Sequence, residues 1–162
     1  MAYDPAPWHD FFVMLGGASA ALAGLVFVGL SIHARAVASD PLHRARARSL
    51  TAGIVYVTVV SALALTPGQG RTALGIEILI GGLVVAWIFS TPLRRHAARL
   101  APPLRLRLGA AVGACLLSSA AGGSLLAHGG GGLYLIVPAG IAGVVLNVFG
   151  AWSLLLGLAA GE

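Results

Sequence analysis

Five long apolar stretches, separated by short polar segments, make up most of the chain. A membrane-spanning helix needs about 20 mostly apolar residues, and the stretches at about 11–32, 49–66, 72–90, 106–127 and 133–158 meet that length. They lack the alternation of membrane β-strands, whereas a helix satisfies its own backbone hydrogen bonds in lipid. The pattern predicts an all-α bundle of five transmembrane helices that forms a single domain over residues 1–162.

The composition supports a membrane protein. Hydrophobic residues make up 58% of the chain and charged residues 9%, and the mean hydropathy is +0.93. A soluble domain is about 25% charged, so the chain lacks the polar surface of a soluble enzyme. A disordered segment needs low hydrophobicity, so a disordered basic tail is excluded as well. The net charge of +5 lies mainly in two short loops and does not indicate nucleic-acid binding.

The connections between the stretches predict the orientation. Thr66–Arg71 and His128–Gly132 are Gly-rich turns, which predict two antiparallel helix hairpins. The other two connections are longer and hold nine of the ten arginines: Arg35, Arg44, Arg46, Arg48, Arg94, Arg95, Arg99, Arg105 and Arg107. The positive-inside rule places these loops in the cytoplasm. We therefore expect the N-terminus outside and the C-terminus inside.

Prolines predict helix boundaries. Asp40–Pro41 is typical of an N-cap followed by a first-turn proline, and Pro102–Pro103 predicts a second such start. Thr91–Pro92 predicts the end of the third span and a short interfacial helix over Leu93–Leu100, with both leucines toward lipid. Pro138 predicts a kink in the fifth span.

Small residues recur on one face of three spans, and such residues let membrane helices approach closely. Those expected in helix contacts are Gly17, Gly24, Gly109, Gly113, Gly140, Gly143 and Gly150. They predict tight packing and a homo-oligomer. Asn147 shares the stripe on the fifth span. It is expected either to hydrogen-bond across a helix contact or to line a narrow pore or an oligomer axis.

Glu77 is the acid placed inside a span. An ionisable side chain at the centre of a membrane helix costs about 2.5 kcal/mol or more on insertion scales, so it predicts a functional site. The alternative is a structural salt bridge to Arg71 or His128, within the chain or across protomers. Together with polar residues of other spans, it defines a candidate ion pathway of Glu77, Asn147, Ser61 and His128.

Catalytic and cofactor-binding patterns are missing from the sequence. There is no metalloprotease, serine-hydrolase, P-loop or Cys/His metal motif. Cys115 is the lone cysteine, and the five histidines are not spaced for haem. We expect no enzyme, no metal and no cofactor. Anionic lipid headgroups are the expected partners of the basic loops, at Arg44, Arg46, Arg48, Arg94, Arg95 and Arg99. The alternative is a cationic vestibule at the inner mouth of an oligomeric pore.

The N-terminal span carries a family-like pattern. Trp8-x-x-Phe11-Phe12 is followed by a Gly pair, then by Ala-Ala-Leu-x-Gly-Leu-x-Phe-Val over residues 20–28. This pattern, in the first quarter to third of the chain, resembles that of small uncharacterised multi-span proteins of the bacterial inner membrane. Some of these are labelled modulators of a membrane-bound AAA protease. The resemblance implies a bacterial inner-membrane location and transfers no functional residue.

Three functions are compatible with these features. Glu77 favours an oligomeric channel or transporter-like pore for a small cation or proton. The alternatives are a non-conducting accessory or scaffold subunit of a membrane complex, and a structural protein that binds lipid through its arginine loops.

Overall fold

A computed structural model of the chain describes residues 2–160, with side chains up to Leu158. This part is helical and contains no strand. Its helices are α1 (His9–Ile32), α2 (Ala34–Ser39), α3 (Pro41–Ala64), α4 (Arg71–Arg95), α5 (Pro102–Ala127) and α6 (Ile136–Ala160). All but α2 are long and apolar enough to cross a membrane. The predicted all-α architecture with five candidate spans is confirmed, while orientation and oligomeric state stay predictions.

Helix α3 is the centre of the bundle and contacts α1, α2, α4 and α6. Half of its most apolar stretch is buried, against 22% for the first and the last spans. Three clusters of buried side chains surround it. Because α1 and α6 expose most of their apolar surface, they form the periphery of the bundle.

The predicted starts of α3 and α5 are confirmed. Asp40 is extended and its Oδ1 accepts a hydrogen bond of 2.6 Å from the Leu42 N–H, so it caps α3 with Pro41 in the first turn. Ala101 is also extended, and α5 begins at Pro102. Both prolines stand where their missing N–H has no helical partner.

The predicted break at Thr91–Pro92 is wrong. Helix α4 continues through Pro92 to Arg95, and a single 3₁₀ turn follows instead of an interfacial helix. Proline removes the hydrogen bond to the carbonyl four residues earlier. That carbonyl, of Ile88, instead accepts from Thr91 Oγ1 at 2.6 Å and from Ser49 Oγ of α3 at 3.4 Å. Neighbouring hydroxyl groups therefore allow the helix to continue.

Two other expectations about this region and about α6 are corrected. Leu100, expected to face lipid, is buried among residues of α4 and α5. Pro138 does not kink the fifth span, because α6 begins at Ile136 after a 3₁₀ turn. Pro138 therefore lies in the first turn of α6, where N–H groups have no partner within the helix.

Helices α4 and α5 pack with their backbones almost in contact. A Cβ atom added to Gly122 of α5 would lie 2.6 Å from the Gly75 carbonyl oxygen and from the Leu79 nitrogen of α4. One added to Gly82 would lie 2.9 Å from the Cys115 carbonyl oxygen. Only glycine leaves room for this approach. It gives the van der Waals contact on which helix association in lipid depends.

The glycines that were expected to pack divide into two groups. Gly140, Gly143 and Gly150 of α6 pack against Leu15, Val57 and Leu50, respectively. The other four lie on outward faces, where an added Cβ would have no neighbour of this chain within 4 Å: Gly17, Gly24, Gly109 and Gly113. These four do not pack inside the described chain, and whether they pack against another helix stays a prediction.

The close approach of α4 and α5 predicts how a glycine substitution changes the free energy of unfolding. We expect Gly122→Ala to destabilise the protein by about 1–3 kcal/mol, because the methyl group would collide with rigid backbone rather than with a movable side chain. The free energy of unfolding can be measured in mixed micelles of a mild detergent and SDS. Gly123→Ala is the matched control, since nothing lies within 4 Å of its added Cβ. Equal stability of the two variants would contradict the packing described.

Candidate functional site

Glu77 is half-buried near the start of α4, and it is hydrogen-bonded inside the chain. Its Oε2 accepts from Gln69 Nε2 at 2.6 Å. Within residues 2–160 the acidic side chain that forms an ion pair is Asp40, with Arg99. The alternative salt bridge from Glu77 to Arg71 or His128 is therefore not formed within the described chain. Gln69, in the turn before α4, provides the polar contact instead.

Two other members of the candidate ion pathway lie apart from Glu77. Ser61 is 1% exposed and packs against Gly16 of α1, and its Oγ has no hydrogen-bond partner among the described residues. His128 is exposed at the end of α5 in the left-handed conformation, with its ring 6.4 Å from that of Tyr3. Neither side chain is hydrogen-bonded to Glu77 among the described residues.

Asn147, the fourth member, points into the bundle. It is 5% exposed, and its Nδ2 donates to the Gly143 carbonyl at 2.8 Å. Its Oδ1 accepts no hydrogen bond from residues 2–160. Gly53 of α3 is in contact with it, since an added Cβ would lie 2.9 Å from that oxygen. Asn147 therefore does not lie on an outward surface where a symmetric oligomer axis would run.

A small cleft lies beside Asn147, between α3, α5 and α6, with a volume of about 40 Å³. A water molecule needs about 10–15 Å³ measured in this way, so the cleft has room for only a few. Its polar lining includes Tyr56 and Ser118, whose oxygens lie 2.7 Å apart. Tyr56 donates onward to the Ile78 carbonyl at 3.1 Å. The cleft is a small polar site in an apolar core and is too small to form a passage across the bundle.

The outward faces of the long helices are predominantly apolar at membrane depth. The large exposed side chains include Val13, Leu25, Ile80, Val84, Val145 and Trp152. A pore between protomers requires a polar stripe along such a face. These faces suit contact with lipid tails or with other apolar helices.

The arginine-rich end of the bundle is the basic end. Two of its arginines have partners within the chain. Arg99 forms a two-pronged ion pair with Asp40, with nitrogen–oxygen distances of 2.7 and 3.3 Å. Arg105 donates through Nε to the Leu100 carbonyl at 3.0 Å and through Nη2 to the Ala97 carbonyl. Together they hold the segment between α4 and α5 against the start of α3. Arg99 was expected to contact lipid, but its guanidinium group forms an ion pair within the chain.

Two other arginines of the basic end point toward the C-terminal half of α6. Arg46 of α3 is partly buried and donates to Ser153 Oγ at 3.3 Å. The Arg107 guanidinium carbon lies 5.9 Å from the ring centre of Phe149. Neither has a carboxylate within 4 Å in the part of the chain that is described. Arg44, Arg48, Arg94 and Arg95 are exposed.

Reasoning from the sequence missed several residues that matter in the structure. Gly75 and Gly82 lie on one face of α4, two turns apart, and this spacing could have identified the contact with α5. The Tyr56–Ser118 hydrogen bond had no signal in the sequence, because its residues are 62 positions apart. Arg107 was predicted only to be one of the nine arginines of the two basic connections.

Comparisons with family models, with curated proteins and with solved structures found no match to this chain.

The Asp40–Arg99 pair predicts a pH dependence of stability. The hydrogen bonds from Arg99 and from the Leu42 N–H lower the pKa of Asp40 below its ordinary value of 3.8. A lowered pKa in the folded state stabilises the protein above the unfolded-state pKa, and this contribution is lost as the pH falls through the folded-state pKa. We expect the wild type to unfold at a higher temperature than Asp40→Asn at neutral pH.

That difference should stay constant above about pH 5 and shrink as the pH falls to 3.8 and below, through the lowered pKa of Asp40. Asparagine keeps the oxygen that caps α3, so the comparison isolates the charge. Thermal unfolding followed by circular dichroism at each pH measures the effect. A difference that does not change with pH would show that the ion pair does not stabilise the fold.

Proposed function

We propose that the protein is a non-conducting integral membrane protein that serves as an accessory or scaffold subunit of a membrane complex. The observation that carries the proposal is the placement of polar groups. Glu77, Asn147, Ser61 and His128 lie in separate environments, and the outward faces at membrane depth are predominantly apolar. We place the protein in the bacterial inner membrane, N-terminus out and C-terminus in, as the N-terminal resemblance and the arginine distribution favour.

The alternative function is a pore for a small cation or proton. It was favoured because placing the ionisable Glu77 side chain in a membrane span costs free energy. That cost is reduced by two features of its surroundings. Glu77 is only half-buried and lies within two turns of the start of α4, and Gln69 donates a hydrogen bond to it. A hydrogen bond to a charged group contributes about 1.5–3 kcal/mol. A structural role therefore accounts for Glu77 without ion conduction.

The outward glycines suggest where a partner would bind. On α5, Gly109 and Gly113 are exposed one turn apart, and on α1 Gly17 and Gly24 are exposed two turns apart. Such small-residue faces let a second helix approach closely, and close contact drives association where lipid tails remove the hydrophobic driving force. The partner helix belongs either to a different subunit, which we propose, or to a second copy of this chain.

The absence of conduction can be measured directly. We expect proteoliposomes containing the purified protein to release protons or K⁺ no faster than protein-free liposomes, because Glu77, Asn147, Ser61 and His128 are not hydrogen-bonded to one another among the described residues. Glu77→Gln should leave the rate unchanged. Vesicles treated with an ionophore show that the assay detects flux. A rate well above the protein-free level that falls in Glu77→Gln would favour the pore and overturn the proposal.

Cross-linking tests the partner surface. In a Cys115→Ser background, we expect Gly113→Cys to cross-link in native membranes to a polypeptide that co-purifies in a fixed ratio. Val84→Cys, on an outward face of α4 without glycines, is the matched control and should not cross-link. Gly113→Leu should abolish co-purification because it removes the room for the second helix. A product of twice the chain mass would show that this face joins copies of the chain instead.

A further inference from the structure

A groove lies between α5 and α6 at the basic end, with α3 as its floor. Its walls are apolar, formed among others by Leu104 and Leu108 of α5, by Leu146 and Leu154 of α6, and by Leu50 of α3. Arg46 and Arg107 stand in the lining together with Ser153. Toward the membrane interior the groove continues into the cleft beside Asn147, because Ala111 and Leu146 line both.

Two positive charges therefore share one apolar groove. Arg46 and Arg107 line the same groove, where two like charges repel each other. Arg46 is held by the neutral hydroxyl of Ser153 and Arg107 by the ring of Phe149. The basic end offers Asp40 as an acid, but Asp40 is bound to Arg99. The groove thus holds two guanidinium groups with no counter-charge among residues 2–160.

We propose that this groove binds one anionic glycerophospholipid of the arginine-side leaflet. Its phosphate binds the Arg46 and Arg107 guanidinium groups, and the first few methylene groups of one acyl chain lie in the groove, whose volume is about 50 Å³. Guanidinium groups bind phosphate oxygens through paired, charge-assisted hydrogen bonds. The Ser153 hydroxyl is a further donor at the same level. A bound phosphate neutralises two charges that otherwise repel each other.

The apolar walls identify a lipid rather than a free phosphate ion. A soluble anion would use only the mouth of the groove. Asn147 lies six residues before Ser153 on α6, about 9 Å further along the helix at 1.5 Å per residue. The wall between them is apolar and contacts methylene groups of the acyl chain. The charged mouth and apolar walls match an anionic lipid that has both a headgroup and a chain.

The test is a binding measurement on the purified full chain, delipidated in neutral detergent and titrated with single lipids under native mass spectrometry. Both lipids carry the phosphate, but the choline cation of phosphatidylcholine is repelled by the two guanidinium groups. We therefore expect dioleoyl phosphatidylglycerol to bind at least about tenfold more tightly than dioleoyl phosphatidylcholine. Arg46→Gln/Arg107→Gln should bring the two lipids within about twofold of each other.

The control variant is Arg44→Gln/Arg48→Gln, which removes the same charge from exposed positions on the same helix. It should keep the preference for phosphatidylglycerol. Equal loss in both double variants would show that the lipid responds only to the general positive field of the basic end, and would overturn the site. Equal binding of the two lipids by the wild type would overturn it as well.

Two further arms separate the headgroup from the chain. Glycerol phosphate and dihexanoyl phosphatidylglycerol should bind more weakly than the dioleoyl lipid. If glycerol phosphate competes as strongly as the dioleoyl lipid, the site is one for a soluble phosphate and the lipid proposal fails. If the double variant does not fold, Arg107→Gln alone replaces it. Arg107 is exposed, so the fold should tolerate this change, and an unchanged lipid preference would contradict the proposal.

Discussion

The structure depends on one constraint: inside lipid, each backbone polar group must find its hydrogen-bond partner within the protein. The helices meet this constraint for most of the backbone, and side chains complete it where the helix cannot. Pro92 leaves the Ile88 carbonyl without its usual partner, and the hydroxyl groups of Thr91 and Ser49 replace the missing N–H. In the turn before α6, the Ser124 hydroxyl donates to the Gly129 carbonyl and accepts from the Gly132 N–H. The bond from Ser49 joins two helices that are far apart in the sequence. The other bonds satisfy backbone groups that a helix alone would leave without a partner.

The second determinant is backbone proximity. Two apolar helices gain little from leaving lipid tails for each other, so close van der Waals contact supplies the association energy. Gly75 and Gly122 bring α4 and α5 together until no Cβ atom fits between them. Helix α3 then packs on this pair, with Tyr56 hydrogen-bonded to Ser118 of α5 and to the Ile78 carbonyl of α4. The peripheral helices α1 and α6 are less buried and present the outward surfaces.

The charges of the basic end have three different roles. Arg99 joins the segment after α4 to the N-cap of α3 through Asp40. Arg105 binds backbone carbonyls of the same segment. Arg46 and Arg107 remain without an anionic partner in the described chain, although they lie beside an apolar groove. The positive-inside rule treats the arginines of the two basic connections alike. The structure divides them into arginines that bind other parts of the chain and arginines that are available to a ligand. Arg46 was among the arginines expected to contact lipid, and Arg107 was not.

The sequence by itself determined the number of long helices, their approximate limits and the starts of α3 and α5. These depend on the length of each apolar stretch and on the local geometry of Asp40, Pro41 and Pro102. The tertiary structure decided which face of each helix is buried. In a soluble helix, polar residues mark the outer face, but here both faces are apolar, so Gly113 and Gly122 look alike in the sequence. Gly122 is buried and Gly113 exposed only because α4 lies on one side of α5. For the same reason the environment of Asn147, the partner of Glu77 and the continuation of α4 through Pro92 depend on neighbouring segments.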